Sequence, residues 1–456
     1  MNVQIKKVKE PKLDNSGKPM PLSAATINQR TQKVLKNMEE KELSSIIVYA
    51  DKEHGSNFEY LVGFIPRFEE ALLILNADGT STLLLGNENY NKAQYSRLET
   101  KSIQVSLFSL PNQPMNSTKN LKEILAGVEI DTSKKIGLVG WKLIPEMIKE
   151  FDIPQFIIEA AYTIIDQKKL VNATGIFINP ETGARITNNA NEIAHYEYGS
   201  SLASDSMLEA MNNLEVGKKE IEIGEILNKH GQYNSVVTIS AFGDRFIEGN
   251  LYPTQKTLDS GNKVSLTVGY RGGLSSRSGY AVMDEKELES VDENYLSDVV
   301  FPYFESYCYW LKNTTIGKSG GDFYKEFEET YPKVKYGWDL CPGHLTAEEE
   351  WLSSPIFEQS TARFQSGMIF QIDFIPHQKG HNSMSAESTV VLADKELRMA
   401  IENKYPEVWS RIENRRDYML NELNIAIPEE ILPLASTVGY YRPFLLNNEY
   451  CLTMKN

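Results

Sequence analysis

Little in this 456-residue chain points to a disulfide framework, a membrane or a nucleic-acid partner. Its three cysteines, Cys308, Cys341 and Cys451, are odd in number and widely spaced, so neither a disulfide scaffold nor a thiolate metal site is indicated. Cys341 lies close to His344, but no flanking signature supports a Cys/His nucleophile, and it reads as a small buried hydrophobe. Histidine is scarce too, with six in the chain, so any chemistry that needs an imidazole has few candidates. No run approaches the roughly 20 apolar residues of a membrane span. The N-terminus, with Lys6, Lys7 and Lys9 among its first residues, lacks the apolar core of a signal peptide. A net charge of −15 argues against a phosphate backbone or an anionic membrane as main partner. A soluble cytoplasmic protein with no nucleic-acid and no membrane partner is expected.

What is present is globular. The composition is 41% hydrophobic and 24% charged, without low-complexity tracts, and the length suits two domains rather than one core. Residues 1–25 are polar and rich in Lys and Pro, and read as an arm or subunit contact. Residues 26–175 read as an α/β domain. Val34, Leu35, Met38 and Leu43 mark a helix over 26–42. Short apolar runs follow at Ser44–Ala50, Ala71–Leu75, Thr82–Leu85, Ile136–Val139 and Phe156–Ile158, each expected to be a strand. Asp78-Gly79 between two of them is a hairpin signal.

The remaining span, 176–456, reads as a second domain with a helical tail. Asn189 followed by Glu192 is a capping-box pattern that opens a long helix to about Leu214, with a second helix from Glu220 to His230. Strands are expected at 235–243, 263–271, 367–376 and 385–393, with helices near 293–312 and 395–423.

Three C-terminal segments carry the chemistry: Pro342-Gly343-His344, the run Gly367–Asp373, and Ser385–Leu392 with Glu387 near its start. An imidazole and two carboxylates on strand-like runs form a plausible oxygen/nitrogen set for a divalent metal. Period-two alternation puts Ser265 with Thr267, Gln371 with Asp373, and Glu387 with Thr389 on common faces. Yet the segment Gly261–Gly279 has no acidic residue at all.

These segments, in this order, resemble the pita-bread family of methionine aminopeptidase, aminopeptidase P, prolidase and creatinase. The stretch Asn57–Phe64 resembles the corresponding part of aminopeptidase P and creatinase relatives. The resemblance implies a creatinase-like N-terminal α/β domain followed by a pita-bread α+β domain, a homodimer, and an N-terminal domain that covers the partner subunit's active site. Peptidases of the family hold two metals with an Asp, a second Asp, a His, a Glu and a last Glu. His344 and Glu387 match the His and the last Glu, and Asp373 stands where the penultimate Glu belongs. Thr267 falls at the first Asp, and Ser275 or Ser276 at the second. The family's two further histidines fall near Asn250 and Trp351.

By this resemblance His344, Asp373 and Glu387 are the expected catalytic residues and the expected ligands of a single metal, Mn, Zn, Co or Fe. Two dications sharing a bridging solvent are normally balanced by four carboxylates, and two remain, so a dinuclear centre is not expected. Metal-free acid/base work, as in creatinase, is the alternative. Asn250, Thr267, Ser275, Ser276, Arg277, Trp351 and Gln371 are expected to line a substrate site. Arg271 and Arg277, with the glycines and serines between them, could bind a carboxylate or phosphate, or pair with surface acids. Glu348–Glu350 could meet a basic substrate or begin a solvated helix. His377 and His381 could reach the pocket mouth or remain solvated. Two functions stay open: a hydrolase acting on a small peptide, amide or amidine, and an inactive homologue that binds a small ligand or a protein.

Overall fold

The computed structural model describes residues 2–113, 119–145, 150–244 and 252–455. The chain divides into two compact units, one of Ser23–Ile186 and one of Met1–Leu22 with Thr187–Asn456. The first boundary therefore falls at Ser23 and the second at Ile186, where the sequence suggests 26 and 175.

Ser23–Ile186 is built on a six-stranded mixed sheet. Its strands run, in spatial order, Lys101–Gln104, Ser81–Leu85, Ala71–Asn76, Leu43–Ala50, Lys135–Val139 and Leu170–Asn172. The two central strands are buried along their whole length, which is why they read as unbroken apolar runs rather than alternating ones. Asn76–Gly79 makes the expected hairpin, with Gly79 at φ +88° and its N–H on the Asn76 carbonyl at 2.9 Å. One expected strand is corrected: Phe156–Ile158 lies in the helix Gln155–Tyr162. Ile157, Ala160 and Ala161 are its buried face, a helical spacing that a three-residue apolar run cannot reveal.

Among the described residues the larger unit holds a two-stranded sheet and two larger ones. Of the larger two, one orders Gly273–Tyr280, Lys263–Tyr270 and Ile239–Phe242; the other orders His344–Leu345, Ile369–Ile372, Ser388–Leu392 and Ile431–Pro433. They meet where the Ser276 N–H donates to the Glu387 carbonyl at 3.3 Å and that of Ser278 to Ser385 at 3.2 Å. The segment after Arg271, outside every strand that the sequence suggests, is thus a buried strand. Its turn is Arg271-Gly272, with Gly272 at φ +97° and so close to Tyr196 that a Cβ there would lie 2.2 Å from a backbone oxygen. The helix Ala190–Asn212 backs this sheet. Its capping box is formed as the sequence suggests, Asn189 accepting from the Glu192 N–H at 3.0 Å and Glu192 from that of Asn189 at 2.9 Å. The tail is two helices, Lys395–Lys404 and Pro406–Asp417, separated at Tyr405 by the proline that follows it.

The N-terminal residues are not a free arm. Val3–Lys7 pairs antiparallel with Tyr450–Met454. Further on, Asp14 joins a buried ionic network. Glu197, wholly buried, meets Arg411 at 2.6 Å and Arg415 at 2.5 Å, and Asp14 meets Arg415 at 2.7 Å. Asp205 accepts the Asp14 and Asn15 N–H groups at 2.8 and 2.9 Å. Burial, and then the nearby Asp14 charge, push the Asp205 carboxyl up to about 6. An acid raised in the folded state favours folding while protonated and loses that advantage as pH rises from about 4 through about 6. Asp205→Asn is therefore expected to gain roughly 2–3 kcal/mol on the wild type between pH 4 and pH 7. Melting curves at both pH values check it, and a pH-independent difference would refute it.

Candidate functional site

His344 opens a two-residue strand after Gly343, a position with φ +118° where the chain turns under Trp310. The Trp310 indole N–H donates to the Pro342 carbonyl at 2.6 Å and holds that turn. Register then does the positioning. His344 lies opposite Gln371, and Gln371 opposite Thr389, so all three share a face. One step past the Ile372–Ser388 pair, Asp373 and Glu387 fall on the same face, as alternation requires. His344, Asp373 and Glu387 are all buried.

A fourth residue completes the group, Glu350, from the acidic run that the sequence leaves open between a substrate pocket and a solvated helix. After His344 the chain folds back on itself. The Leu345 N–H donates to the Ser353 carbonyl at 2.7 Å, and that of Leu352 to Leu345 at 2.9 Å. The fold-back rules out the solvated helix at Glu348–Glu350 and returns Glu350 and Trp351 to the imidazole. Oε1 of Glu350 lies 3.0 Å from His344 Nε2, and Oδ2 of Asp373 lies 3.7 Å from it. The Trp351 ring stacks on the imidazole at 4.1 Å between centroids and 19° between planes. Glu348 turns the other way and accepts the Tyr196 hydroxyl at 2.6 Å.

His344 Nδ1 is 3.2 Å from the Leu345 carbonyl, which keeps a proton on that nitrogen and directs Nε2 at the carboxylates. Nε2 makes no hydrogen bond, and its 3.0 Å approach to Glu350 would be an ion pair only with the imidazole protonated. Asp373 Oδ1 is also buried without a hydrogen-bond partner. Burial works against the imidazolium, but the Glu350 contact and the Asp373 charge outweigh it and raise the His344 pKa. Burial lifts Asp373 to about 6 against the pull of His344. Glu387 is pushed well above the carboxylate range by burial and then by the charges of Asp373 and Glu350.

Thr267 and Ser276 are directly opposed across their hairpin, with hydroxyls 3.1 Å apart. Ser276 is 2.9 Å from the Ser385 hydroxyl, which is 3.0 Å from Glu387 Oε1. Ser385 has one proton for two acceptors, Ser276 and Glu387, so the hydroxyls and the Glu387 carboxyl form one hydrogen-bonded chain. These neutral groups, bonded to one another, do not fit a second metal ion. One ion does fit, because Nε2 of His344 and Oδ1 of Asp373, which make no hydrogen bond, are what such an ion would satisfy.

Other expected site residues fare differently. Ser275 pairs with Val268 on the opposite face of the hairpin, so the uncertainty between it and Ser276 resolves to Ser276. Arg277 is not an anion hook. All five of its N–H groups are engaged, by the carbonyls of Tyr440, Ser276, Glu387 and Thr437 and the Ser388 hydroxyl. Gln371 holds the sheets together, donating to the Leu274 carbonyl at 2.8 Å and accepting the Thr389 hydroxyl at 2.8 Å. Asn250 lies outside the described residues. His377 is exposed, while His381 is tied to Asp292 at 2.6 Å, away from the central group. Arg271 stacks over Tyr233, 5.3 Å from its centroid.

Residues 30–152 match the family model for the Creatinase/Prolidase N-terminal domain. No curated protein matches the chain by sequence. Among solved structures, a prolidase from Pyrococcus horikoshii superposes with a TM-score of 0.61 at 16% identity, covering 80% of this chain and 96% of its own. An Xaa-Pro dipeptidase from Bacillus anthracis gives 0.60 at 13%, covering 81% and 96%. An X-Pro aminopeptidase from Thermotoga maritima gives 0.60 at 15%, covering 80% and 95%. Identities this low speak to fold alone. Residues 30–152 thus carry a Creatinase/Prolidase N-terminal domain, and the chain as a whole shares its fold with prolidases and Xaa-Pro peptidases.

Proposed function

We propose that the protein is a hydrolase of the prolidase, Xaa-Pro aminopeptidase and creatinase type, acting on a small peptide, amide or amidine. Its centre is His344, Asp373 and Glu387, with at most one divalent ion. The observation that carries this is the convergence in one group of two buried atoms that make no hydrogen bond, His344 Nε2 and Asp373 Oδ1. Leaving them unmet costs on the order of 1–3 kcal/mol each, a cost that a substrate or ion would relieve.

A bound ion would supply Lewis-acid polarisation and a more acidic water. The chain's own residues do the rest. Glu387 is kept protonated by its surroundings, and so is suited to give a proton to a leaving nitrogen and be resupplied along the Ser385–Ser276–Thr267 hydroxyls. Asp373 and Glu350 attract a cationic amine or amidine. Trp351 excludes water from one face of the imidazole and narrows the site. A cytoplasmic homodimer belongs to the same reading, and the three free cysteines suit a reducing compartment.

One observation favours the inactive, ligand-binding alternative: the hydroxyl chain satisfies itself without substrate. A panel of Xaa-Pro dipeptides, small amides and amidines separates the two. Turnover that disappears in Glu387→Gln supports the hydrolase; a wild-type protein inert on the whole panel leaves only the binder.

A further inference from the structure

We propose that Glu350, rather than Glu387, is the third ligand of a single divalent transition-metal site formed with His344 and Asp373. This deepens the hydrolase reading and rests on it only for the location of the centre.

An acidic cluster alone would not carry such a site; two buried polar atoms do. His344 and Asp373 are buried, with 0% and 5% relative exposure, and each aims into the group a polar atom that makes no hydrogen bond. The proton arrangement fits as well. The Leu345 carbonyl holds the hydrogen on Nδ1, leaving the Nε2 lone pair facing the carboxylates, which is how metal-binding imidazoles are oriented.

Distances select Glu350. One ligand atom from each of His344, Glu350 and Asp373 lies within 4.8 Å of the other two. Bonds of about 2.1 Å to nitrogen and oxygen put neighbouring ligand atoms roughly 3.0–3.4 Å apart. The separations of 3.0 and 3.7 Å from Nε2 bracket that range. Glu387, by contrast, has Oε1 capped by the Ser385 hydroxyl at the end of the hydroxyl chain. Two carboxylates and a neutral imidazole carry two negative charges, the balance for one dication. The mixed nitrogen and oxygen set suits Zn, Mn, Fe or Co over Ca or Mg.

The competing state is an imidazolium of His344 paired with Glu350, with no ion at all. Titration of metal-stripped protein with ZnCl₂ or MnCl₂ by calorimetry distinguishes them without any substrate. One equivalent is expected in the wild type, weakened at least 10–100-fold in Glu350→Gln and within about threefold of wild type in Glu387→Gln. Glu350 is partly exposed, so its variant should keep the wild-type melting temperature, and Asp373→Asn gives a second, independent loss. No uptake by the wild type overturns the proposal, as does uptake lost in Glu387→Gln but kept in Glu350→Gln. A protein that binds one ion yet hydrolyses nothing keeps this site and sinks the hydrolase reading. Turnover without any ion does the reverse.

Discussion

His344→Ala is expected to lower kcat/KM on whichever substrate the wild type cleaves by roughly 10²–10⁴-fold, the range for losing a positioned acid/base group. The imidazole sits at the centre of the group, within 3.0 Å of Glu350, 3.7 Å of Asp373 and under the Trp351 ring. Its removal leaves the carboxylates facing one another with no cationic or coordinating partner. Loss of activity through misfolding would show as a lower melting temperature. The expected result is lost turnover with a cooperative transition retained, because deleting the imidazole also removes an unsatisfied buried nitrogen. Retention of more than a tenth of wild-type kcat/KM would move the chemistry elsewhere in the molecule.

Arg277→Met is expected to be the most damaging single change to stability near the site. Methionine fills similar space but donates nothing, so four carbonyls and a hydroxyl lose their donor in the interior. Breaking a buried charged network of this kind costs about 4 kcal/mol. That corresponds to a fall in melting temperature of roughly 10 °C for a unit of this size. Calorimetry would show it, and a change below about 1 kcal/mol would mean the guanidinium is not holding the strand. The same variant also slackens the site, since Arg277 grips the Glu387 carbonyl and the Ser388 hydroxyl.

How much of this was legible depended on how local each signal is. The helix Ala190–Asn212 announced itself through Asn189 and Glu192, a contact made within one turn. The co-facial set of Gln371, Asp373, Glu387 and Thr389 followed from period two, and the register agrees. Arg277 misled because glycine and serine around it read as a loop, whereas the hairpin it belongs to is fixed by pairing with Lys263–Tyr270. Glu350 was illegible for a similar reason. Its place beside His344 depends on the backbone pairing of Leu345 with Ser353, and three consecutive glutamates look like a solvated surface until that pairing is known.

The pairing of Val3–Lys7 with Tyr450–Met454 bears on how the protein is made. Val3–Lys7 has no partner until Tyr450–Met454, far along the chain, has been made. Ser23–Ile186 can complete its own sheet long before that, since every strand of it lies within its own span. The larger unit must wait, holding an unpaired edge meanwhile, a state open to association with other chains. Deleting Tyr450–Met454 would leave Val3–Lys7 without its mate, so the two segments are inherited as a pair.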